Sequence, residues 1–278
     1  MKTHRPILPP AGKLIPTAFT LVEMLVVILI ICMLAAMLLP ALGKAKLEGR
    51  RISCLNNLRR MAISRKMYTD DNQGNLILSV AEEDSVDTSF ESDDPKVMIC
   101  PSTHVPLILP SGGWGTADTT YIGSNHNAPN VPGSYAINGW VSVNHSPVEM
   151  FPQYFYGKDT DLPDPAAIPL FLDSTWYYVF PLETDPTKDP ANLYSGYQGD
   201  RNPESGCRCM HSMGLCLIER HSSLPPASAQ TNFPYIQGQV LPGVINMAFA
   251  DNHAELVGLN SLWNYTWHRA WETPTPHP

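Results

Sequence analysis

The chain has 278 residues, 44% of them apolar, and a formal net charge of −8, which suits one large globular domain or two small ones. Residues 1 to 66 carry eleven Lys or Arg against Glu23 and Glu48, while residues 67 to 278 carry seven against twenty-four Asp or Glu. A basic front beside an apolar run suits an anionic membrane surface, and the acidic remainder argues against nucleic acid as a partner, because that role needs cationic charge facing phosphates.

Residues 1 to 18 are short, basic and broken by Pro6, Pro9, Pro10 and Pro16, so they form no stable helix of useful length. Residues 19 to 42 follow, twenty-four residues whose only formal charge is Glu23. At the helical rise they span roughly 36 Å, enough to cross a hydrocarbon core of about 30 Å. A secretory signal shares the basic-then-apolar order, but its apolar region runs only about 7 to 15 residues. The length therefore predicts a transmembrane helix.

From Gly43 the pattern turns amphipathic, with Leu47, Ile52, Leu55, Leu58 and Ala62 at helical spacing and Arg51, Arg59, Arg60 and Lys66 available to water. No proline falls between Pro40 and Pro95. The helix is expected to continue as an amphipathic half over residues 43–72 and to stop among Asp70, Asp71, Asn72 and Gly74, with Pro40 as a kink.

Beyond residue 66 lie twenty-two of the 27 prolines. Short apolar runs between them, at 76–80, 97–100, 134–143, 170–172, 176–181 and 244–249, read as strands joined by long loops. The expected fold class is α+β: the long helix packed against a small antiparallel sheet, with a head over residues 73–270 and a flexible tail at 271–278.

Six cysteines stand at 32, 54, 100, 207, 209 and 216. Cys32 lies in the apolar run, so the remaining five allow at most two intramolecular disulfides. Oxidation fits an exported head and metal binding or free thiols a cytosolic one. Cys207, Cys209, His211 and Cys216 offer zinc ligands, although C-x-C is tighter than the usual zinc spacing and a disulfide from Cys216 to Cys207 or Cys209 explains the cluster as well.

Ala18-Phe19-Thr20-Leu21-Val22-Glu23-Met24-Leu25 and the apolar helix after it resemble the cleavage and methylation segment of type IV prepilins and type II secretion pseudopilins. Pro40 matches a proline common in those helices, whereas Ala18 stands where the family usually has Gly. The resemblance implies a prepilin peptidase that cuts between Ala18 and Phe19 and methylates the new amine of Phe19. It implies that Glu23 pairs with the amine of a neighbouring subunit and sets the axial register of a fibre. An intramembrane carboxylate is costly unless partnered, which fits that role.

Weaker likeness continues through Cys54-Leu-Asn-Asn-Leu58, Ile99-Cys100-Pro101-Ser102, Ser134 to Gly139 and Asn246 to His253. These resemble a large pseudopilin-like group that ends near a His and a downstream Asp-Gly; Asn252 takes the place of that Gly, and residues 140 to 210 have no counterpart. Members of this group often carry cysteines in both contexts, which implies a Cys54–Cys100 disulfide. The resulting expectation is a structural subunit of the inner membrane, leader cytoplasmic and head periplasmic, whose partners are prepilin peptidase and other pilin subunits, with no cofactor and no catalysis.

Other readings use different residues. Trp176-Tyr177-Tyr178 suggests a non-polymerising surface protein that binds carbohydrate, although aromatics at such spacing are more often core. Asp251, His253 and His221 suggest a fragment of a metal-dependent hydrolase, but no phosphate loop, His-Glu-x-x-His pair or nucleophile elbow accompanies them. Asp159, Asp161 and Asp164 form an acidic loop that offers oxygen ligands to calcium, or simply faces water.

Overall fold

The computed structural model describes residues 20–76, 95–106, 114–123, 131–142, 151–183, 185, 213–222, 225–229 and 239–275. The chain forms two compact units, one ending at Ala45 and the other beginning at Lys46. Helix α1 (Leu21–Asp71, 51 residues) contributes to both.

In the first unit α1 is exposed all round from Leu21 to Ala45. It continues through Pro40, which has no N–H to give to the helical ladder. This is the one helix, among the described residues, long and apolar enough to cross a membrane.

In the second unit α1 buries Cys54, Leu58, Met61, Ala62, Arg65 and Thr69, a single stripe at helical spacing. Leu58 and Ala62 lie inward as expected, whereas Ile52 faces outward at 48% exposure. The helix ends in the Asx and Gly residues that favour a stop: Gln73 and Gly74 take positive φ of 59° and 77°, and the Gly74 N–H closes back on the Thr69 carbonyl at 2.8 Å.

The head contains a five-stranded sheet in the order β5-β3-β4-β6-β7, built from β3 (Tyr135–Asn138), β4 (Pro169–Asp173), β5 (Tyr178–Val179), β6 (Val244–Phe249) and β7 (Ala254–Gly258). A separate antiparallel ribbon joins β1 (Tyr121–Gly123) to β2 (Val131–Gly133). The expected antiparallel pairing holds for β3–β4, β4–β6 and β6–β7 and is corrected at one edge, where β5 pairs parallel with β3 through Ile137↔Tyr178. After β4 the chain crosses to the other side of β3, and that crossover gives β5 the direction of β3.

Several segments differ from their sequence reading. Residues 97–100 are not a strand, because Pro95–Met98 is a 3-10 turn, and the run after β3 becomes helix α2 (Gly139–Ser142). Strand β7, carrying Glu255, lacked a continuous apolar run. Residues 77–80 lie outside the described segments.

Alternation along the strands divides the core. Tyr135, Ile137, Phe171 and Ala248 pack with Cys54, Leu58, Met61 and Ala62 of α1. Ala136, Leu172, Met247 and Phe249 pack on the opposite side with Leu215, Trp263 and Trp267. All nine residues of β3 and β4 are therefore buried, and the head is a three-layer structure with the sheet in the middle. Trp271 and Glu272, placed in the tail by the sequence reading, dock on this body: the Glu272 N–H donates to Glu183 Oε1 at 3.1 Å, and the Trp271 ring lies 5.2 Å from His268.

Candidate functional site

Ala18 and Phe19 lie outside the described residues, and the site begins at Thr20. Glu23 Oε2 accepts from the Thr20 backbone N–H at 2.9 Å and from its hydroxyl at 2.7 Å, while the Glu23 N–H donates to Thr20 Oγ1 at 3.3 Å. This is a reciprocal capping box, and its signature, Thr-x-x-Glu before an apolar run, was legible in the sequence and was missed there.

Cys54 of α1 and Cys100 are joined by a disulfide with a Cα separation of 5.1 Å, inside the range such a bond requires. Cys100 follows the 3-10 turn at Pro95–Met98, and the Asn57 side chain donates to the neighbouring Ile99 carbonyl at 3.4 Å. Cys216 is buried in helix α3 (Met213–Cys216). Cys207, Cys209 and His211 lie outside the described residues, as do the disulfide and zinc readings that need them.

Beside the disulfide lies a buried polar cluster. Asp173, at the end of β4, meets Arg220 Nη1 at 3.1 Å through Oδ1, and His221 Nε2 at 3.1 Å through Oδ2. Oδ2 also accepts the Asn246 backbone N–H of β6 at 2.8 Å. Arg220 donates further to the carbonyls of Ala117, Thr116, Ser174 and Ser134, which uses all five guanidinium donors. Burial pushes the Asp173 carboxyl up, but His221, Arg220 and the Asn246 N–H outweigh it and hold the carboxyl below its ordinary value. His221 Nε2 is also 3.6 Å from Cys100 Sγ, and the Ser102 N–H points at the same sulfur at 3.4 Å.

A second buried cation joins helix and head. Arg65, 1% exposed, donates to the carbonyls of Leu76 and Val141. Neither it nor Asp173 was singled out from sequence, since nothing local distinguishes them from surface charges.

The remaining candidates make the following contacts. Asp159 pairs with Lys66 at 2.8 Å, Asp161 accepts from the Gly157 and Lys158 N–H groups, and Asp164 caps the turn at Pro165–Ala167. Asp251 and His253 bond to each other in the β6–β7 turn, where Asn252 holds a φ of 71° that suits Asn or Gly. They do not converge with His221: among the described residues, the one group of three His, Cys, Asp or Glu ligand atoms within 4.8 Å is Cys54, Cys100 and His221. Trp176 stacks at 4.2 Å on Trp114 and lies 4.6 Å from Tyr177, so these rings pack on one another.

In comparisons with known proteins, no family model, curated protein or solved structure matches the chain.

Proposed function

We propose that the protein is a pilin-like structural subunit, inserted in the inner membrane by the first half of α1, cut between Ala18 and Phe19, and packed through that helix into a pilus or pseudopilus fibre. The observation that carries this reading is the long α1 itself. An apolar half, exposed all round with Glu23 as its one formal charge, runs without a break into a half that anchors the α+β head. A free-standing globular domain would have no use for such a surface, whereas lipid followed by neighbouring helices covers it.

Glu23 fits both stages. Its bonds to Thr20 end on Oε2, and Oε1 is the oxygen offered to the methylated amine of a neighbouring subunit. The apolar run alone meets the requirement for insertion, so Glu23→Ala leaves insertion intact and lowers crosslinking between adjacent helices.

The decisive experiment is mass spectrometry of the membrane-extracted N-terminus, with and without a co-expressed prepilin peptidase. A chain beginning at N-methylated Phe19 only when the peptidase is present supports the proposal. An intact leader, or a cut near Ala45 beyond the apolar run, overturns it.

A further inference from the structure

We infer that Cys100 is the entry thiol through which the Cys54–Cys100 disulfide forms. It takes up a small disulfide oxidant as a mixed disulfide, and Cys54, carried on α1, then displaces the oxidant from it. This order of reaction concerns the reduced chain and does not depend on the fibre reading. Its first support is an asymmetry between the two sulfurs. Cys100 Sγ faces His221 Nε2 at 3.6 Å and the Ser102 backbone N–H at 3.4 Å. The same nitrogen lies 3.1 Å from Asp173 Oδ2. An ionised carboxylate only accepts, so Nε2 carries a hydrogen, and both groups at the sulfur are donors.

Donors aimed at a sulfur favour the thiolate, which is the nucleophile in exchange, over the thiol. The Asp173 carboxylate would repel a thiolate nearby, but Arg220 meets it at 3.1 Å and offsets its charge. Cys54 stands in other surroundings. It lies in the interior of α1, where backbone N–H groups are spent on the helical ladder, and it packs with Leu58, Met61 and Ala62. Apolar burial favours the neutral thiol. The buried Cys216 shows that effect: burial, then Asp185 and Asp173, push its thiol up.

The second support is where the donors come from. Asp173 is held by Arg220, His221 and the Asn246 N–H, and Arg220 in turn by the carbonyls of Thr116, Ala117, Ser134 and Ser174. None of these residues belongs to α1, so the head alone sets the donors at Cys100. Both cysteines are buried once joined, so the oxidant reaches Cys100 before α1 covers it, and docking of α1 delivers Cys54. The Cys100 thiolate attacks one sulfur of the oxidant, and the oxidant's other half leaves as a thiolate. The Cys54 thiolate then attacks the Cys100 sulfur, forms the native bond and expels the second half. Two electrons pass from the chain to the oxidant, and the two cysteine protons end on the two thiols released.

The test uses the full chain in detergent, reduced, with Cys54→Ser leaving Cys100 free and Cys100→Ser leaving Cys54 free. Each is incubated with oxidised glutathione near pH 7, quenched with acid and read by peptide mass spectrometry, which separates these positions from the other cysteines. Glutathione is expected on Cys100 at least about tenfold faster than on Cys54, the thiolate advantage of one unit of acidity. In urea the two rates should converge, because the donors at Cys100 are supplied by the fold. Adding His221→Gln to Cys54→Ser should remove most of the advantage and lower the ultraviolet absorption of the Cys100 thiolate, with Cys54→Ser/Cys100→Ser as the blank. If melting shows that His221→Gln unfolds the head, the comparison of folded chain with urea decides alone. Equal rates in the folded chain, a faster Cys54, an advantage that persists in urea or survives His221→Gln in a folded head, or a reduced head that does not fold overturns the inference.

Discussion

The two halves of α1 share one backbone and differ in what covers their side chains. From Leu21 to Ala45 every residue is exposed, whereas from Lys46 onward only one stripe is buried, ending with Arg65 and Thr69. The first half satisfies its backbone within the helix and offers apolar side chains in every direction, the requirement for a helix in lipid. The second half uses one face for the head and carries Arg59 and Arg60 on the other. The adjacent Arg65 and Lys66 show the same contrast at one turn: Arg65 is buried on backbone carbonyls, while Lys66 reaches Asp70 and Asp159 with its side chain 36% exposed.

The strongest challenge to this contrast is Arg220→Met, which removes the five-donor hub of the head and leaves Asp173 without its guanidinium. Unfolding of the head in urea is expected to show a loss of about 3 to 5 kcal/mol, with membrane insertion unchanged. Next, Cys54→Ser opens a tie between residues 46 positions apart, and the same measurement should show about 3 to 4 kcal/mol less stability. A loss below about 1 kcal/mol would mean that side-chain packing alone holds the helix to the head.

A charge in the apolar half tests the other side of the comparison. Ile31→Arg should cost about 2.5 to 3.5 kcal/mol of insertion, read as protein released by alkaline extraction, whereas Ile52→Arg, at an exposed position of the second half, should change head stability by less than about 0.5 kcal/mol. Equal release of both variants would erase the distinction between the halves. Lys66→Ala should cost under about 1 kcal/mol, because its ion pairs are largely in water.

Acidity supplies the finest probe. Burial lowers the His268 pKa, and Glu183 only partly restores it. The resulting stabilisation is present above the ordinary histidine value of about 6.5 and is lost as pH falls through the depressed one. Head stability should therefore decline on going from about pH 7 to about pH 5, and His268→Phe should flatten that decline.

How far the sequence could be read depended on the range of the interaction involved. The apolar span, the amphipathic continuation, the stop at Asn72 and Gly74, and strand β6 follow from composition and periodicity within a few turns of chain. The Thr20–Glu23 cap was just as local and was overlooked. The Cys54–Cys100 pairing was reached only through resemblance, since five cysteines outside the apolar run permit several pairings.

The parallel place of β5, the inward turn of Arg65 and the meeting of Asp173, Arg220 and His221 beside the disulfide came from the fold. Asp173 and Arg220 are 47 residues apart, and Cys100 and His221 are 121 apart. Between such residues no periodicity carries information. A charged side chain reads as a surface group in sequence until packing removes its water and supplies partners, and only the assembled three-layer head does both.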